Sequence, residues 1–131
     1  MLTNDMPHFT IEYSANLDAE VDMQLFCEEL LRAALSTGAF EIGAVRVRAI
    51  RSEHYAIADK DPRNSFIDVS ARVARRDLAL RQKIGEAIFA AMTAFLGTIF
   101  DRKHFALSLE IREIDPEVSY KKNSIHERLR K

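Results

Sequence analysis

The sequence predicts an α/β (α+β) fold in which duplicated βαβ units form a four-stranded sheet with two helices on one face. Three observations lead to this prediction. Four short segments alternate apolar and polar residues, as strands with one buried face do. Two longer segments carry apolar residues at helical spacing. The order strand, helix, strand occurs twice, in residues 7–51 and again in residues 66–112.

The first unit starts with a strand whose apolar members are Phe9, Ile11 and Tyr13. A helix follows, and we expect Asn16 or Asp18 to cap its start and Gly38 to end it. The apolar stripe of this helix comprises Met23, Phe26, Cys27, Leu30 and Ala34. In the second strand, Val45, Val47 and Ala49 alternate with Arg46, Arg48 and Ile50. Because a helix separates the two strands, we expect a right-handed crossover and parallel pairing.

The second unit repeats this plan after an irregular stretch, residues 54–65, which contains a turn cluster at residues 61–64. The third strand carries the alternating residues Ile67, Val69, Ala71 and Val73. Asp77 should cap a long helix, and Gly97 lies near the end of that helix. The helix stripe consists of Ile84, Ala87, Ile88, Ala91 and Phe95. The last strand has apolar residues at Phe105, Leu107, Leu109 and Ile111.

Length and composition indicate a single globular domain over residues 1–131, with a leader at 1–6 and a C-terminal arm at 113–131. The formal net charge of −1 argues against nucleic acid or a membrane surface as a partner. The one cysteine, Cys27, cannot form an internal disulfide, which fits a reducing cytoplasm. We find neither a secretion signal nor an apolar run of about 18 residues, so we expect no membrane span.

The predicted fold leaves one sheet face without a helix, and sheets with parallel pairs are seldom exposed on one side. The residues expected on that face include Thr10, Ile50 and Ala106 as well as charged residues. We therefore expect self-association through this face. The arm mixes Tyr120, Ile125 and Leu129 with basic residues, and it is either a frayed terminus or an arm docked on a neighbouring subunit.

Pro7 stands directly before the first strand, and its position matters most for chemistry. Within a chain its nitrogen is an amide without a proton or basicity, and Pro7 would then merely open an edge strand. At a chain terminus it is a secondary amine, which titrates near pH ~8 and lower in apolar or cationic surroundings. Such an amine could act as a general base near neutral pH.

The residues before Met6 decide which form Pro7 takes. Initiator methionine is usually removed when the next residue is small, which holds for Pro7 after Met6 but not for Leu2 after Met1. We therefore hypothesise that Met6 is the true start. A chain that begins at Met1 would keep Pro7 in a peptide bond and would be inactive in this chemistry.

Two arginine pairs are candidates for binding an acidic substrate. Arg46 and Arg48 are two residues apart on a strand and should project from the same face, either toward substrate or toward solvent. Arg75 and Arg76 lie where a strand leads into a helix start, and helix N-termini favour anions. Guanidinium groups there could hold a carboxylate through paired hydrogen bonds.

Motifs for other chemistries are missing. The histidines show no metal-ligand spacing, and the chain has no CxxC or HExxH motif. No GxGxxG or P-loop sequence occurs either. We therefore expect no metal and no cofactor.

Three short sequences carry a resemblance to known proteins: MPHF at residues 6–9, GAVRVR at 43–48 and NSIH at 123–126. With them the chain resembles the 5-carboxymethyl-2-hydroxymuconate isomerase family, part of the tautomerase superfamily that includes 4-oxalocrotonate tautomerase. The likeness runs from Met6 nearly to the C-terminus. It implies a tautomerase-like fold of duplicated βαβ units, assembled as a homotrimer with its site at a subunit boundary.

The resemblance also implies roles for individual residues. Pro7 matches an amino-terminal proline that removes a proton from a dienol diacid and returns it elsewhere on the conjugated system, without a cofactor. Arg46 and either Arg75 or Arg76 match arginines that hold substrate carboxylates and stabilise the developing enolate. The implied activity is isomerisation of 5-carboxymethyl-2-hydroxymuconate in the catabolism of aromatic compounds, through homoprotocatechuate and 4-hydroxyphenylacetate.

Two other functions fit the same residues. The chain could be a promiscuous tautomerase of phenylpyruvate type, which the relative turnover of a tricarboxylate dienol and phenylpyruvate enol would separate. It could also be a trimeric binding protein without activity, if the leader keeps Pro7 blocked. The intact mass of natively expressed protein would separate the active from the blocked form.

Overall fold

A four-stranded sheet is the frame of the computed structural model, which describes residues 6–130. The strands are β1 (His8–Ser14), β2 (Arg46–Ser52), β3 (Ser65–Val73) and β4 (Phe105–Glu113), in the spatial order β2-β1-β3-β4. β2 is parallel to β1, β4 is parallel to β3, and the two units meet where β1 pairs antiparallel with β3. The predicted fold of two βαβ units is confirmed. Residues 1–5 of the predicted leader and the last residue of the arm lie outside the described residues.

Two long helices, α1 (Met23–Ser36) and α2 (Leu78–Leu96), pack against one face of this sheet and against each other. The core between the layers is built from alternate strand residues and one stripe of each helix. Its fully buried members include Phe9, Ile11, Ile67 and Val69 from the strands and Phe26, Leu30, Ile84 and Ile88 from the helices. Burying each such side chain contributes about 1.5–3 kcal/mol to the free energy of folding. The apolar residues of the strands and of the helices therefore stabilise the fold together.

The start of α1 differs from the expectation. Its N-cap is Asp22, whose carboxylate accepts a hydrogen bond from the Leu25 N–H at 3.1 Å, so neither Asn16 nor Asp18 caps it. Residues Ala15–Ala19 form a short 3-10 helix instead. The side-chain amide of Asn16 instead donates a hydrogen bond to the Asn64 carbonyl at 2.8 Å. It thereby ties the end of β1 to the loop before β3.

The other predicted helix boundaries are confirmed. Gly38 follows the end of α1 with φ of +74°, a left-handed conformation that glycine adopts without strain. The Asp77 carboxylate accepts from the Leu80 N–H at 2.8 Å and caps α2. Gly97 is the C-cap of α2 and leads into a 3-10 helix, Gly97–Arg102.

The segment Leu78–Arg102 is long and apolar enough to cross a membrane, with a mean hydropathy of 1.4 over its most apolar window. We had expected no such segment from the sequence. By composition alone a membrane helix and a core helix are alike. Here Ile84, Ile88, Met92 and Leu96 lie in the core between α2 and the sheet. One stripe of the segment therefore packs against the sheet, and 22% of its most apolar window is buried.

The chain after β4 folds back onto its own molecule. It forms a 3-10 helix, Pro116–Val118, and a short helix α3, Ser124–Leu129. Asn123 and Arg130, at the two ends of α3, contact the loop that precedes β2. Of the two alternatives that the sequence leaves open for the arm, the frayed terminus is therefore wrong for this part, which is docked on its own chain. Docking on a neighbouring subunit stays a prediction.

Among residues 6–130, no element covers the second face of the sheet, which we call the open face. The strand register arranges its side chains in rows that cross all four strands. The row nearest Pro7 is basic and contains Arg46, His8, Arg72 and Arg112. A row farther along contains Ile50, Glu12, Asp68 and Ser108. The open face is thus basic at one end and acidic farther along.

Candidate active site

Pro7 is buried at the start of β1. Its carbonyl accepts a hydrogen bond from the Arg46 backbone N–H at 3.0 Å, which joins it to the first residue of β2. Proline has no N–H to donate, so Pro7 takes part in this backbone contact through its carbonyl oxygen alone. In the chain as it stands, the Pro7 nitrogen is in a peptide bond with Met6 and is not basic.

The topology brings all the predicted site residues to one end of the sheet. β1 and β2 are parallel and start there, whereas β3 and β4 run against β1 and end there. Arg46 begins β2, and Arg75 and Arg76 follow β3 directly before α2. We call this the Pro7 end. The C-terminal arm starts at the same end, because it continues from β4.

Arg46 is half-buried, and its guanidinium group is held on several sides. Its Nη1 donates to the carbonyl oxygens of Gly43 at 3.0 Å and Val45 at 3.2 Å. Its Nη2 donates to the Asn123 Oδ1 at 3.2 Å. Planar guanidinium groups with several fixed donors are suited to binding carboxylates. The position of Arg46 is therefore set by the loop before β2 and by the C-terminal arm.

Arg48 lies on the open face, next to Thr10 of β1 in the strand register. Its Nη1 lies 3.0 Å from the Nδ1 of His8. Burial, followed by the nearby guanidinium groups of Arg48, Arg72 and Arg46, lowers the pKa of His8 below its ordinary value of 6.5. His8 is therefore neutral at pH 7, and its Nδ1 can accept from Arg48. Arg46 and Arg48 project from the same strand face, as expected from their spacing.

The two arginines that follow β3, Arg75 and Arg76, have different environments. The Arg76 guanidinium lies over the Phe40 ring, 4.8 Å from its centroid, and donates to the Ala39 carbonyl at 2.9 Å. Phe40 in turn packs edge-on against Phe9 of β1, with ring centroids 6.1 Å apart. Arg75 is exposed. Arg76 is therefore held close to β1 through Phe40, whereas Arg75 is not.

Sequence reasoning missed several residues at this end. Arg72 lies beside His8 in the basic row of the open face, and its alternation with Ala71 and Val73 in β3 was the available signal. Glu41 and His126 form a pair although they are 85 positions apart. Nothing in the local sequence indicates such a contact.

The arm is fastened to the loop before β2 by polar contacts. The Asn123 side chain caps α3 by accepting from the His126 N–H at 3.0 Å, and it donates to the Gly43 carbonyl at 2.9 Å. His126 is only 5% exposed, and its Nε2 contacts the Glu41 carboxylate. Arg130 donates to the same carboxylate at 2.8 Å. Hydrogen bonds from Arg130 and then from His126 lower the pKa of Glu41 below its ordinary value of 4.5.

A cavity of about 240 Å³ lies between the arm and the start of β1. Its walls include Met6, and its remaining lining residues all come from the arm: Lys121, Lys122, Asn123, Ser124, His126, Glu127 and Arg130. A larger hollow of about 540 Å³ lies at the opposite end of the strands, between Val21 and Ile99. None of the predicted site residues lines that larger hollow. Within residues 6–130, no three His, Cys, Asp or Glu side chains are grouped as metal ligands would be.

Comparison with known proteins identifies relatives over almost the whole chain. The model of a family described as 5-carboxymethyl-2-hydroxymuconate isomerase matches residues 7–129, so the match begins at Pro7. A 5-carboxymethyl-2-hydroxymuconate Delta-isomerase from Escherichia coli is 28% identical over 122 residues, which are 92% of this chain and 97% of the relative.

Solved structures agree with this match. A 5-carboxymethyl-2-hydroxymuconate isomerase from Deinococcus radiodurans R1 superposes with a TM-score of 0.89 at 33% identity, covering 97% of this chain and 96% of that one. A macrophage migration inhibitory factor-like protein from Entamoeba histolytica has a TM-score of 0.56 at 15% identity, covering 91% of this chain and 97% of that one. The second likeness concerns the fold alone.

Proposed function

Because the chain belongs to the 5-carboxymethyl-2-hydroxymuconate isomerase family, we propose that it isomerises 5-carboxymethyl-2-hydroxymuconate with Pro7 as general base and acid. The membership makes the chain an isomerase. The observation that carries the proposal is the position of Pro7, which begins the matched region and lies at the sheet end where Arg46 and Arg76 are held.

The proposed active form starts at Met6 in synthesis and begins at Pro7 once that methionine has been removed. The Pro7 nitrogen is then a secondary amine close to Arg46 and Arg76, and nearby positive charge lowers the pKa of an amine. A larger neutral fraction at pH 7 makes the amine a usable base. It takes a proton from the 2-hydroxyl, or from a carbon acid, of the dienol and returns it to another carbon of the conjugated system. The double bonds shift, and no electrons enter or leave.

Arg46 and Arg76 are proposed to bind two substrate carboxylates. The negative charge that develops on the dienolate is stabilised by positive groups already in place. Arg46 is kept in place by Gly43 and Asn123, and Arg76 by Phe40 and Ala39. Arg48 is bound to His8 on the open face, so its proposed part is in the electrostatic environment of the site. Arg75, which is exposed, attracts the anionic substrate.

We further propose that the molecule is a homotrimer located in the cytoplasm. The open face and its exposed Ile50 support self-association, and the lone Cys27 fits a reducing compartment. The polyanionic substrate and the basic Pro7 end favour this isomerase over a phenylpyruvate-type tautomerase, whose substrate carries one carboxylate. The proposed pathway is the catabolism of aromatic compounds.

The first prediction compares protein that begins at Pro7 with its Pro7→Ala and Arg46→Ala variants. Pro7→Ala keeps a terminal amine but changes its geometry, so we expect kcat/KM for the dienol to fall about 10²-fold, the low end of the contribution of a positioned base. Without the arginine we expect a fall of about 10–100-fold, since charged hydrogen bonds contribute about 1.5–3 kcal/mol. Isomerisation is followed by the absorbance of the conjugated dienol, and intact mass verifies the first residue.

Arg32→Ala is the matched control, because Arg32 is an exposed arginine on α1 paired with Glu29, and it should leave turnover unchanged. Full activity of a chain verified to begin at Met1 would overturn the role of Pro7. Protein that begins at Pro7 but converts no dienol would instead support a binding protein without catalysis.

A further inference from the structure

We propose that the C-terminal arm forms one wall of the substrate site. We further propose that Lys121 and Lys122 bind the carboxylate of the substrate's carboxymethyl substituent. This inference rests on the proposed function. It assigns a specificity-determining role to a segment that lies outside both βαβ units.

The first step of the argument concerns the space occupied by Met6. The Met6 carbonyl carbon is bonded to the Pro7 nitrogen, and so it stands where an atom must come to exchange a proton with that nitrogen. In the active form Met6 is absent, and the substrate takes its place. The residues that surround Met6 are therefore the residues that surround a bound substrate. Met6 lies in the wall of the 240 Å³ cavity, whose other lining residues belong to the arm.

The second step is that the arm is held firmly enough to form a site. Glu41 is joined to both His126 and Arg130, and Asn123 is joined to Gly43 and Arg46. The packing at Gly43 is close: a Cβ added there would lie 2.6 Å from the His126 Cα. These contacts come from both ends of α3. The arm is thus a fixed neighbour of Arg46.

The third step is the charge of the cavity wall. Lys121 and Lys122 are exposed there, and no ion pair or hydrogen bond engages either lysine within the described part of the chain. Arg130, by contrast, is engaged with Glu41. Glu127 also lines the cavity and carries the opposite charge. The two lysines are therefore the cations of this wall that are available to a ligand.

The fourth step is the charge of the substrate. A muconate skeleton has two carboxylates, and the carboxymethyl substituent adds a third. Arg46 and Arg76 account for two of them in the proposed mechanism. The remaining carboxylate needs another cation near Pro7 that no other group engages. Lys121 and Lys122 line the cavity beside Met6 and meet this condition, whereas Arg48 is already in contact with His8.

The experiment uses protein that begins at Pro7 and compares the tricarboxylate dienol with 2-hydroxymuconate, which lacks the carboxymethyl group. We expect Lys121→Ala combined with Lys122→Ala to raise KM for the tricarboxylate about 10-fold or more. We expect KM for 2-hydroxymuconate to change less than 2-fold. Replacing both lysines by arginine keeps the charge and should restore most of the affinity for the tricarboxylate.

Lys83→Ala is the matched control, since Lys83 is an exposed lysine on α2, in the helix layer. Circular dichroism and thermal unfolding verify that the double variant keeps its fold. An equal rise in KM for both dienols, or no rise for either, would overturn the assignment of the lysines. Wild-type protein without dienol turnover would contradict the proposed function itself, which is a separate result.

Discussion

At the scale of single residues, Asn123 combines two tasks, capping α3 and contacting Arg46. Its Oδ1 accepts from the His126 N–H, which caps α3, and also from the Arg46 guanidinium. Its Nδ2 donates to the Gly43 carbonyl, which Arg46 contacts as well. Under the proposed function, Asn123 is therefore a positioning residue for Arg46 and acts on the reaction through that arginine.

The two tasks of Asn123 can be separated by substitution. Asn123→Ala should cost about 1 kcal/mol of stability, because the helix cap is lost. Asn123→Ser keeps a capping hydroxyl but is too short to reach Arg46, so it should retain most of the stability. We expect both variants to lower kcat for the dienol about 3–10-fold, with a smaller change in KM, because a displaced arginine stabilises the dienolate less well.

Steady-state kinetics and thermal unfolding of the same preparations measure both effects. Wild-type kcat in Asn123→Ser would show that the contact with Arg46 does not position it.

At the scale of elements, α3 depends on contacts with the rest of the chain for its helical conformation. It spans Ser124–Leu129, and helices this short are unstable in isolation. Its apolar side chains Ile125 and Leu129 are partly exposed, so burial alone does not hold it. Glu41 supplies the remaining attachment through His126 and Arg130. The stability of this element should therefore depend on the charge of one carboxylate.

That dependence has a predictable direction with pH. The pKa of Glu41 is lowered in the folded chain, first by Arg130 and then by His126. The stabilisation is therefore complete above the ordinary pKa of 4.5 and is lost as pH falls through the lowered folded value. We expect amide exchange of residues 124–130 to accelerate as pH falls below 4.5, after correction for the intrinsic exchange rate.

Glu41→Gln removes the charged partner, so exchange of α3 should be fast at pH 7 and nearly independent of pH. Glu29→Gln is a matched control: the pKa of Glu29 is also lowered, by Arg32, but this pair lies on α1. If α3 in Glu41→Gln is as protected as in the wild type, Glu41 does not hold the arm.

At the scale of the whole molecule, the open face is the feature that a single chain leaves unexplained. Ile50 is 50% exposed there, within a row that also contains Glu12 and Asp68. The basic row nearest Pro7 lies on the same face. A face with separated basic and acidic rows can pair with a copy of itself, because opposite charges meet when the copies are staggered. This arrangement supports the proposed homotrimer.

We expect sedimentation velocity to give the mass of three chains for the wild type. Ile50→Glu should shift the protein toward monomer, because it replaces an exposed apolar side chain of the proposed contact with a carboxylate beside Glu12. Leu78→Glu is the control, since Leu78 is 59% exposed in the first turn of α2, in the helix layer, where an acidic residue suits the helix dipole. A monomeric wild type at micromolar concentration would contradict the trimer, and a trimeric Ile50→Glu would place the contact elsewhere.

Much of the fold could be predicted from the sequence because its signals are local. The alternation in β1 and β3 and the stripes of α1 and α2 reflect backbone geometry that repeats every few residues. The caps Asp77 and Gly38 are local for the same reason. The predicted start of α1 is wrong because Asn16, whose residue type often caps helices, donates instead to the carbonyl of Asn64, which is 48 positions away.

The sequence by itself determined the two βαβ units, the parallel pairs and the candidate residues, which are Pro7, Arg46, Arg48 and the pair of Arg75 and Arg76. Only the tertiary structure decided which of these residues have fixed neighbours and what surrounds them. It separated Arg76 from the exposed Arg75, and it brought Asn123 to Arg46 across 77 positions of the chain. The physical reason is separation along the sequence. The periodic pattern of a strand or helix can be recognised within a few consecutive residues, whereas a site depends on side chains that meet only after the strands have paired and the arm has folded back.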